Sequence, residues 1–437
     1  MVDMTLSTQP YKGARDFYPE EMFLQNYIFG VWRQVCERAG YEEYLTPMIE
    51  PTEVYLAKSS EEIVRDQTYT FEDRGGRQVT IRPEMTPSVS RMVAAKRQEL
   101  GYPLRLFSIC NYMRYERPQR GRLREFWQLN ADIFGIDGIS AEHEVVTMAD
   151  QLFQTFGAKR SMYEIRLNSR KFVNYFLTNY VGLTETETTT MVRLIDRIDK
   201  LPRAEFITMA EMVISPALRG AGAVTRILSV LDAKDLTDIP ADLASHETLI
   251  GLNELMITLK KDGITNARFD IKLMRGFDYY TDIVFEAFDL HPDNNRAMFG
   301  GGRYDGLVGQ FGVAPVATFG FAPGDASAAL FLQSHGLAPK YRSISDLYVV
   351  LAGVNYNDVS GLLAKFRSEG VNVAVDMSPG KKIGDQIKNA EKKSIRYVSV
   401  MGEKELQSER YNIKDLHTGK IEEHGFERMV TILLANR

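Results

Sequence analysis

Leu123-Arg124-Glu125-Phe126-Trp127-Gln128-Leu129-Asn130-Ala131-Asp132-Ile133-Phe134 reads as one strand with two unlike faces. Successive side chains on a strand point to opposite sides. One side collects Leu123, Trp127, Leu129, Ala131 and Ile133, an apolar core face interrupted only by Glu125. The other collects Arg124, Phe126, Gln128, Asn130, Asp132 and Phe134. Three consecutive polar positions on one face of a central strand need partners, because burying unpaired polar groups is costly. A solvated sheet face would also satisfy them, so the neighbouring segments decide between surface and site.

Immediately upstream, Arg114-Tyr115-Glu116-Arg117-Pro118-Gln119-Arg120-Gly121-Arg122-Leu123-Arg124 holds five arginines in eleven residues. The run joins this strand to a strand-like segment beginning near Leu104, so the pair has a strongly positive connecting turn. The planar guanidinium fork suits bidentate phosphate contact, whereas natural edge protection more often uses lysine or mixed charges. Further along, Arg275-Gly276-Phe277-Asp278-Tyr279-Tyr280-Thr281 carries an arginine and two tyrosines through a tight turn. Strand alternation there expects Tyr280, Asp282 and Glu286 on one face and Tyr279 on the other. Gly300-Gly301-Gly302-Arg303-Tyr304-Asp305-Gly306 has no side chains over three consecutive positions, which lets backbone approach a ligand closely.

Around these pieces the pattern is mixed. Phe23, Tyr27, Val31 and Val35 recur every four residues, predicting an amphipathic helix over roughly 20–39 with Pro19 in its first turn. Residues 41–49 read as a strand closed by Pro47, 78–82 as a short strand, and Pro87 opens a helix to about 97. Another strand is expected at 163–167. Between 171 and 266, Thr-rich and Leu/Ile-periodic helical segments dominate, and strands resume at 269–273 and 279–288. The reading is a mostly antiparallel β domain in two parts, 1–170 and 267–335, interrupted by a helical insertion at 171–266. From 345 to 437, strands at 346–352, 372–375 and 397–401 alternate with helices at 357–368 and 381–393, which marks an independent α/β domain.

The composition sets wide bounds. At 437 residues the chain exceeds one ordinary core, and 44% hydrophobic with 25% charged residues excludes wholesale disorder. The net charge of −5 excludes a globally basic DNA coat but not a local basic patch. Cys36 and Cys110 are too few for a disulfide framework or a cysteine zinc site. No Gly-x-x-x-x-Gly-Lys-Ser/Thr, His-Glu-x-x-His or Gly-x-Ser-x-Gly occurs, which removes P-loop, zincin and nucleophile-elbow chemistry. Met1-Val2-Asp3-Met4 has neither a basic nor an apolar signal character, and the longest apolar stretch, around 347–354, is far below the ~20 residues of a membrane helix. The expectation is a cytoplasmic protein with no membrane partner.

Taken together, these motifs resemble the class II aminoacyl-tRNA synthetases, and among them the histidyl-tRNA synthetases. Residues 41–47, with the terminal Pro47, resemble class motif 1, and 107–134 resemble motif 2. The segments 275–281 and 301–306 are similar to signatures of the histidine enzymes, and Arg82-Pro83-Glu84-Met85-Thr86 and Gly13-Ala14-Arg15-Asp16 also fit. The resemblance runs from about residue 10 to the C-terminus. It implies an α+β fold: a catalytic domain on an antiparallel sheet with a helical insertion, followed by a five-stranded α/β anticodon-binding domain. It also implies a homodimer joined partly through motif 1. The implied reaction activates L-histidine with ATP to histidyl-adenylate and transfers it to the 3′ end of tRNA(His), with Mg²⁺ bridging phosphates.

By resemblance, Arg114 holds the α-phosphate and Arg275 approaches the reacting groups from the opposite side, with Glu116 and Arg122 also at the ATP. Glu84 and Thr86 meet the α-ammonium, and Gln128 holds amino-acid polar atoms. Asp132 and Tyr280 grip the imidazole, and Tyr279 and Tyr304 line the same pocket. Arg117, Gln119 and Arg120 meet the tRNA acceptor stem. The six histidines take surface or structural roles, and no metal ligands are assigned. Two departures stand out: Asp132 occupies a position where the family usually has glutamate, and Ser327 falls where motif 3 expects an ATP-contacting arginine, with Arg122 or Arg303 as candidate substitutes. The second departure motivates an alternative reading, a non-catalytic paralogue that senses histidine or tRNA.

Overall fold

The computed structural model describes residues 6–56, 67–274, 279–294, 296–378 and 380–435. The chain divides into two compact units, one holding residues up to 17 and 24–338, the other 18–23 and everything from 339 on.

The first unit is organised by an eight-stranded sheet, in the spatial order Glu42–Glu43, Leu104–Met113, Glu125–Phe134, Thr318–Phe321, Arg296–Arg303, Ile283–Asp289, Tyr163–Ser169, Ala267–Phe269. All pairings are antiparallel except the two outermost, Glu42–Glu43 on Leu104–Met113 and Tyr163–Ser169 on Ala267–Phe269. Strands Leu104–Met113 and Glu125–Phe134 pair without a slip from Leu104 opposite Phe134 to Met113 opposite Glu125. The strand expected at 41–49 is cut short. Only Glu42–Glu43 joins the large sheet, and the chain passes Pro47 before Ile49–Pro51 enters a separate three-stranded sheet with Gln78–Ile81 and Tyr69–Glu72. Proline cannot donate to a ladder, so the break falls there.

The odd-numbered face of Glu125–Phe134 is core. Leu129, Ala131 and Ile133 are fully buried in the cluster that includes Ile28, Trp32 and Val35 of helix Pro19–Arg38 and Val145, Ala149 and Leu152 of helix Ile139–Thr155. On the first helix the buried stripe is Ile28, Val31, Trp32, Val35, an i, i+3, i+4, i+7 set, while Phe23 and Tyr27 sit at its margin. Between Ser169 and Ala267 the described elements are all helical, and their leucines and isoleucines, such as Leu252, Leu255 and Leu259, join the same apolar cluster as the sheet.

The second unit carries a five-stranded sheet in the order Val373–Val375, Leu347–Leu351, Tyr397–Met401, Arg410–Asp415, Ile421–Gly425, the first three parallel and the last two antiparallel. Leu347 and Val349 pack against Val359, Leu363 and Phe366, whereas Tyr348 and Val350 pack against Ala390 and Val398. Cover on both faces accounts for the unbroken apolar run Leu347–Leu351. The closing hairpin and helix Phe426–Ala435 lack the βαβα pattern that marked the rest.

Candidate active site

The even-numbered face of Glu125–Phe134 floors a cavity of about 490 Å³ in the first unit, with Gln128, Asn130 and Asp132 in its lining. Asp132, only 2% exposed, accepts hydrogen bonds from the Tyr304 hydroxyl and the Asn130 amide. Burial pushes its carboxyl up to about 7, against the opposing pull of the Tyr304 hydroxyl. The neighbouring strand leaves it room. A Cβ on Gly320 would stand 1.8 Å from Asp132 Oδ1, so that position has space for nothing larger than glycine. Gln128 donates to the Ala322 carbonyl at 3.0 Å, which leaves its amide oxygen as the acceptor it can offer a ligand.

Glu84, 3% exposed, and Thr86 close the same end, and Glu84 accepts from the Tyr279 hydroxyl at 2.9 Å. The Tyr279 ring makes edge contacts with Tyr280 and Tyr304, at centroid distances of 5.1 and 5.7 Å. Burial, reinforced by the carboxylates of Glu84 and Asp132, holds the hydroxyls of all three tyrosines well above the ordinary phenol range. They therefore act as protonated donors at neutral pH. Two carboxyl groups among three hydroxyls give this part of the cavity acceptors for cationic and N–H donors and donors of its own. Tyr279 and Tyr280 both line the cavity, contrary to the expected alternation, because the strand begins only at Ile283. Asp282, expected on the face of Tyr280, instead accepts from Ser169 Oγ at 2.8 Å and pairs with Lys171.

The same cavity is also lined by cations. Arg114 donates from Nε to the Pro83 carbonyl at 2.8 Å, with its guanidinium 5.3 Å from the centre of the Phe126 ring. Arg122 pairs with Glu116, and both line the cavity together with Gln119. Arg117, Gln119 and Arg120 are exposed on the turn, whereas Arg124 is turned away onto the Tyr115 ring at 3.9 Å. Arg275 lies outside the described residues.

One expectation is corrected. Arg303 is no substitute for the absent motif 3 arginine: its guanidinium, 5% exposed, is held by Glu142 at 2.5 and 2.6 Å and is not among the cavity's lining groups. Gly300, Gly301 and Gly302 sit inside a strand, where a Cβ on Gly301 would meet the Gly320 carbonyl at 2.3 Å and one on Gly302 the Tyr280 ring at 2.8 Å. Their smallness serves strand and ring packing, and Gly300 and Gly301 also line the cavity, where their backbone is open to approach. Asp325 borders the cavity and is tied into the fold. It is fully buried, accepting from Arg15 at 2.5 Å, Gln25 at 2.9 Å and the Trp127 amide at 3.0 Å, so it ties the helix Asp325–Ser334 to the floor strand. Ser327 lines the cavity, its hydroxyl directed at the carbonyls of Gly324 and Met298. Sequence reasoning passed over Arg296, a lining residue whose only signal was its place at the head of the strand that carries the glycines.

A histidyl-tRNA synthetase family model matches residues 13–324, and an anticodon binding domain model matches 347–436. A histidine--tRNA ligase of Leptospira biflexa is 38% identical over 420 residues, covering 95% of each chain. The chain belongs to the histidyl-tRNA synthetase family. A histidine--tRNA ligase of Haloarcula marismortui is 33% identical over 94% of each chain. Among solved structures, the histidyl-tRNA synthetase from Nostoc sp. PCC 7120 superimposes with a TM-score of 0.83 over 99% of this chain and 100% of that one, at 19% identity. The apo enzyme of S. aureus gives 0.69 at 22% identity, over 98% of this chain and 100% of that one. At that identity these two carry the fold, and the synthetase family membership rests on the sequence matches. The synthetases of this family are aminoacyl-tRNA ligases that take ATP as a substrate, which accords with a cavity lined by both carboxylates and arginines.

Proposed function

We propose that the chain is a histidine–tRNA ligase whose two small substrates meet end to end in this cavity. The observation that carries the reading is that one pocket is lined both by Glu84 and Asp132 among tyrosines and by the cations Arg114, Arg122 and Arg296. Histidine's ammonium pairs with Glu84 beside Thr86, and Gln128 holds its polar atoms. Its imidazole N–H is accepted by Asp132, with Tyr280 and Tyr304 around the ring and Tyr279 fixing Glu84. A histidine carboxylate oxygen attacks the α-phosphorus of ATP, and the bond to the β-phosphate bridging oxygen breaks, releasing pyrophosphate. Charge gathering on the phosphorus oxygens is met by Arg114, and by Arg275 on the strength of its sequence signature, fixed cations of the kind that stabilise a transition state. In the second step a hydroxyl at the tRNA 3′ end attacks the acyl carbon and AMP leaves.

A pocket built to hydrogen-bond a polar side chain rejects analogues lacking those groups by ~10⁴–10⁵ without editing. Among the described residues no three of His, Cys, Asp or Glu gather as a metal set. Mg²⁺ would enter on the ATP phosphates as part of the substrate, and no step here depends on a protein-held ion.

The exposed Arg117, Gln119 and Arg120 suit phosphate and base contacts with the tRNA(His) acceptor stem. The C-terminal unit would take the anticodon end. Leu45, Met48, Ile49 and Leu56, 45–72% exposed around Pro47, form an apolar surface suited to a second copy of the chain. Sedimentation of the purified protein at micromolar concentration tests the homodimer. No helix among the described residues is long and apolar enough to cross a membrane, and a cytoplasmic location is in keeping with this reading. Histidine-dependent ATP–pyrophosphate exchange, with the other amino acids as controls, tests the function. Histidine binding without exchange would favour the regulatory alternative, which no feature of the site now supports.

A further inference from the structure

We infer that Arg296 is the cation that takes the terminal phosphates of ATP, filling the role that Ser327 leaves open. This rests on the reading of the cavity as a histidine and ATP site. Ser327 offers no charge, and its hydroxyl is directed at backbone carbonyls, 2.9 Å from that of Gly324 and 3.2 Å from that of Met298. Arg296 lines the same cavity from the adjacent strand. It opens strand Arg296–Arg303, where pairing with Asp289 fixes its backbone in the sheet.

The guanidinium of Arg296 donates from Nη2 to the Arg120 carbonyl at 2.5 Å, which is a neutral acceptor. Among the described residues no carboxylate lies within ion-pair distance of it. The acids nearest this end are engaged elsewhere, Glu116 with Arg122 and Asp325 with Arg15. Arg296 therefore keeps its full charge and most of its N–H donors for a ligand, in a fork suited to phosphate oxygens. The arginine-rich turn makes space for it. Gly121 adopts φ +71°, and a Cβ there would stand 2.2 Å from Arg296 Nη2. With its guanidinium on the Arg120 carbonyl and Arg122 also in the lining, Arg296 belongs to the end of the pocket beside the arginine-rich turn. The ligand chemistry matching that end is a polyphosphate.

The test measures both substrates of the exchange reaction, since pyrophosphate is the β,γ portion of ATP. Arg296→Ala should raise the KM for ATP and the KM for pyrophosphate together, each by about ten- to a hundredfold, as loss of a charge-assisted contact implies. The KM for histidine should stay within about twofold, which also reports an intact fold. Arg296→Gln, which can keep the Arg120 contact without the charge, should show the same paired rise and stands in if the alanine variant is insoluble. Unchanged ATP and pyrophosphate constants in both variants would overturn the inference. So would a rise for ATP alone, which would mean contact with the adenosine. Absence of histidine-dependent exchange in the unaltered protein would instead sink the reading of the cavity itself.

Discussion

Replacing Asp132 by asparagine should convert a pH-dependent histidine site into a nearly pH-independent one. The carboxyl is pushed up to about 7 by burial, and its two donors, Tyr304 and Asn130, fix the oxygens in place. Only the ionised form accepts fully from an incoming ring N–H. With that pKa the ionised fraction falls from about nine-tenths at pH 8 to about one-tenth at pH 6, and kcat/KM for histidine, which reports the free enzyme, should fall about tenfold over that interval. Asp132→Asn keeps the size but loses the charge-assisted bond, lowering kcat/KM for histidine by about ten- to a hundredfold at pH 8.

The substrate's own imidazole titrates in the same range, but it contributes equally to both proteins. The ratio of parent to variant isolates Asp132, and that ratio should shrink on acidification. Folding provides an independent check. A carboxyl whose folded pKa lies above its unfolded value of 3.8 makes the folded state the better proton binder between about 4 and 7. Its ionisation therefore destabilises the parent as pH rises through that window, so Asp132→Asn should melt higher than the parent at pH 8, with the gap closing towards pH 4. The assay is pyrophosphate exchange at saturating ATP from pH 5.5 to 8.5, alongside thermal melts. A parent-to-variant ratio that does not move with pH, or a variant whose ATP constant changes as much as its histidine constant, would refute the imidazole contact.

Other perturbations have equally definite outcomes. Arg303→Ala strands Glu142, 2% exposed and already pushed upward by burial, and should cost about 3–5 kcal/mol in chemical denaturation. Replacing both Arg303 and Glu142 by methionine should recover most of that loss. Gly320→Ala places a methyl against Asp132 Oδ1, so the KM for histidine should rise at least tenfold while ATP constants move little. Arg117→Ala and Arg120→Ala, exposed on the turn, should leave exchange near the parent rate yet slow tRNA aminoacylation severalfold at low salt, with the deficit relative to the parent shrinking as salt rises.

What could be read beforehand depended on how local its cause was. A two-residue period needs no knowledge of the rest of the chain, so the sorting of Leu129, Ala131 and Ile133 to the core and Gln128, Asn130 and Asp132 to the cavity followed from twelve residues. The same rule misled at Tyr279 and Tyr280 because it was extended four residues ahead of the strand at Ile283. Arg303 looked like a site arginine next to glycines until Glu142, 161 positions away, claimed it. Asp325 and Arg296 were illegible for the same reason: their partners Arg15 and Arg120 are 310 and 176 positions distant. The triple glycine was noticed, but the neighbour that demands it proved to be another strand and a tyrosine ring.

The unbroken register from Leu104–Phe134 to Met113–Glu125 also acts as a ruler. The residues that would read the amino acid and the turn that would receive the tRNA end are successive parts of one β-strand and its loop. Each residue added to that strand advances the chain by about 3.4 Å. A single insertion between 125 and 134 would exchange the two faces, sending Asp132 into the core and Ile133 into the cavity. A pair of insertions would restore the faces but move the imidazole pocket roughly 7 Å from the turn. Chain-length variation should therefore be tolerated only about the exposed Arg117 and forbidden in the strand that follows, so lineages can remodel how they meet tRNA without disturbing which amino acid they select.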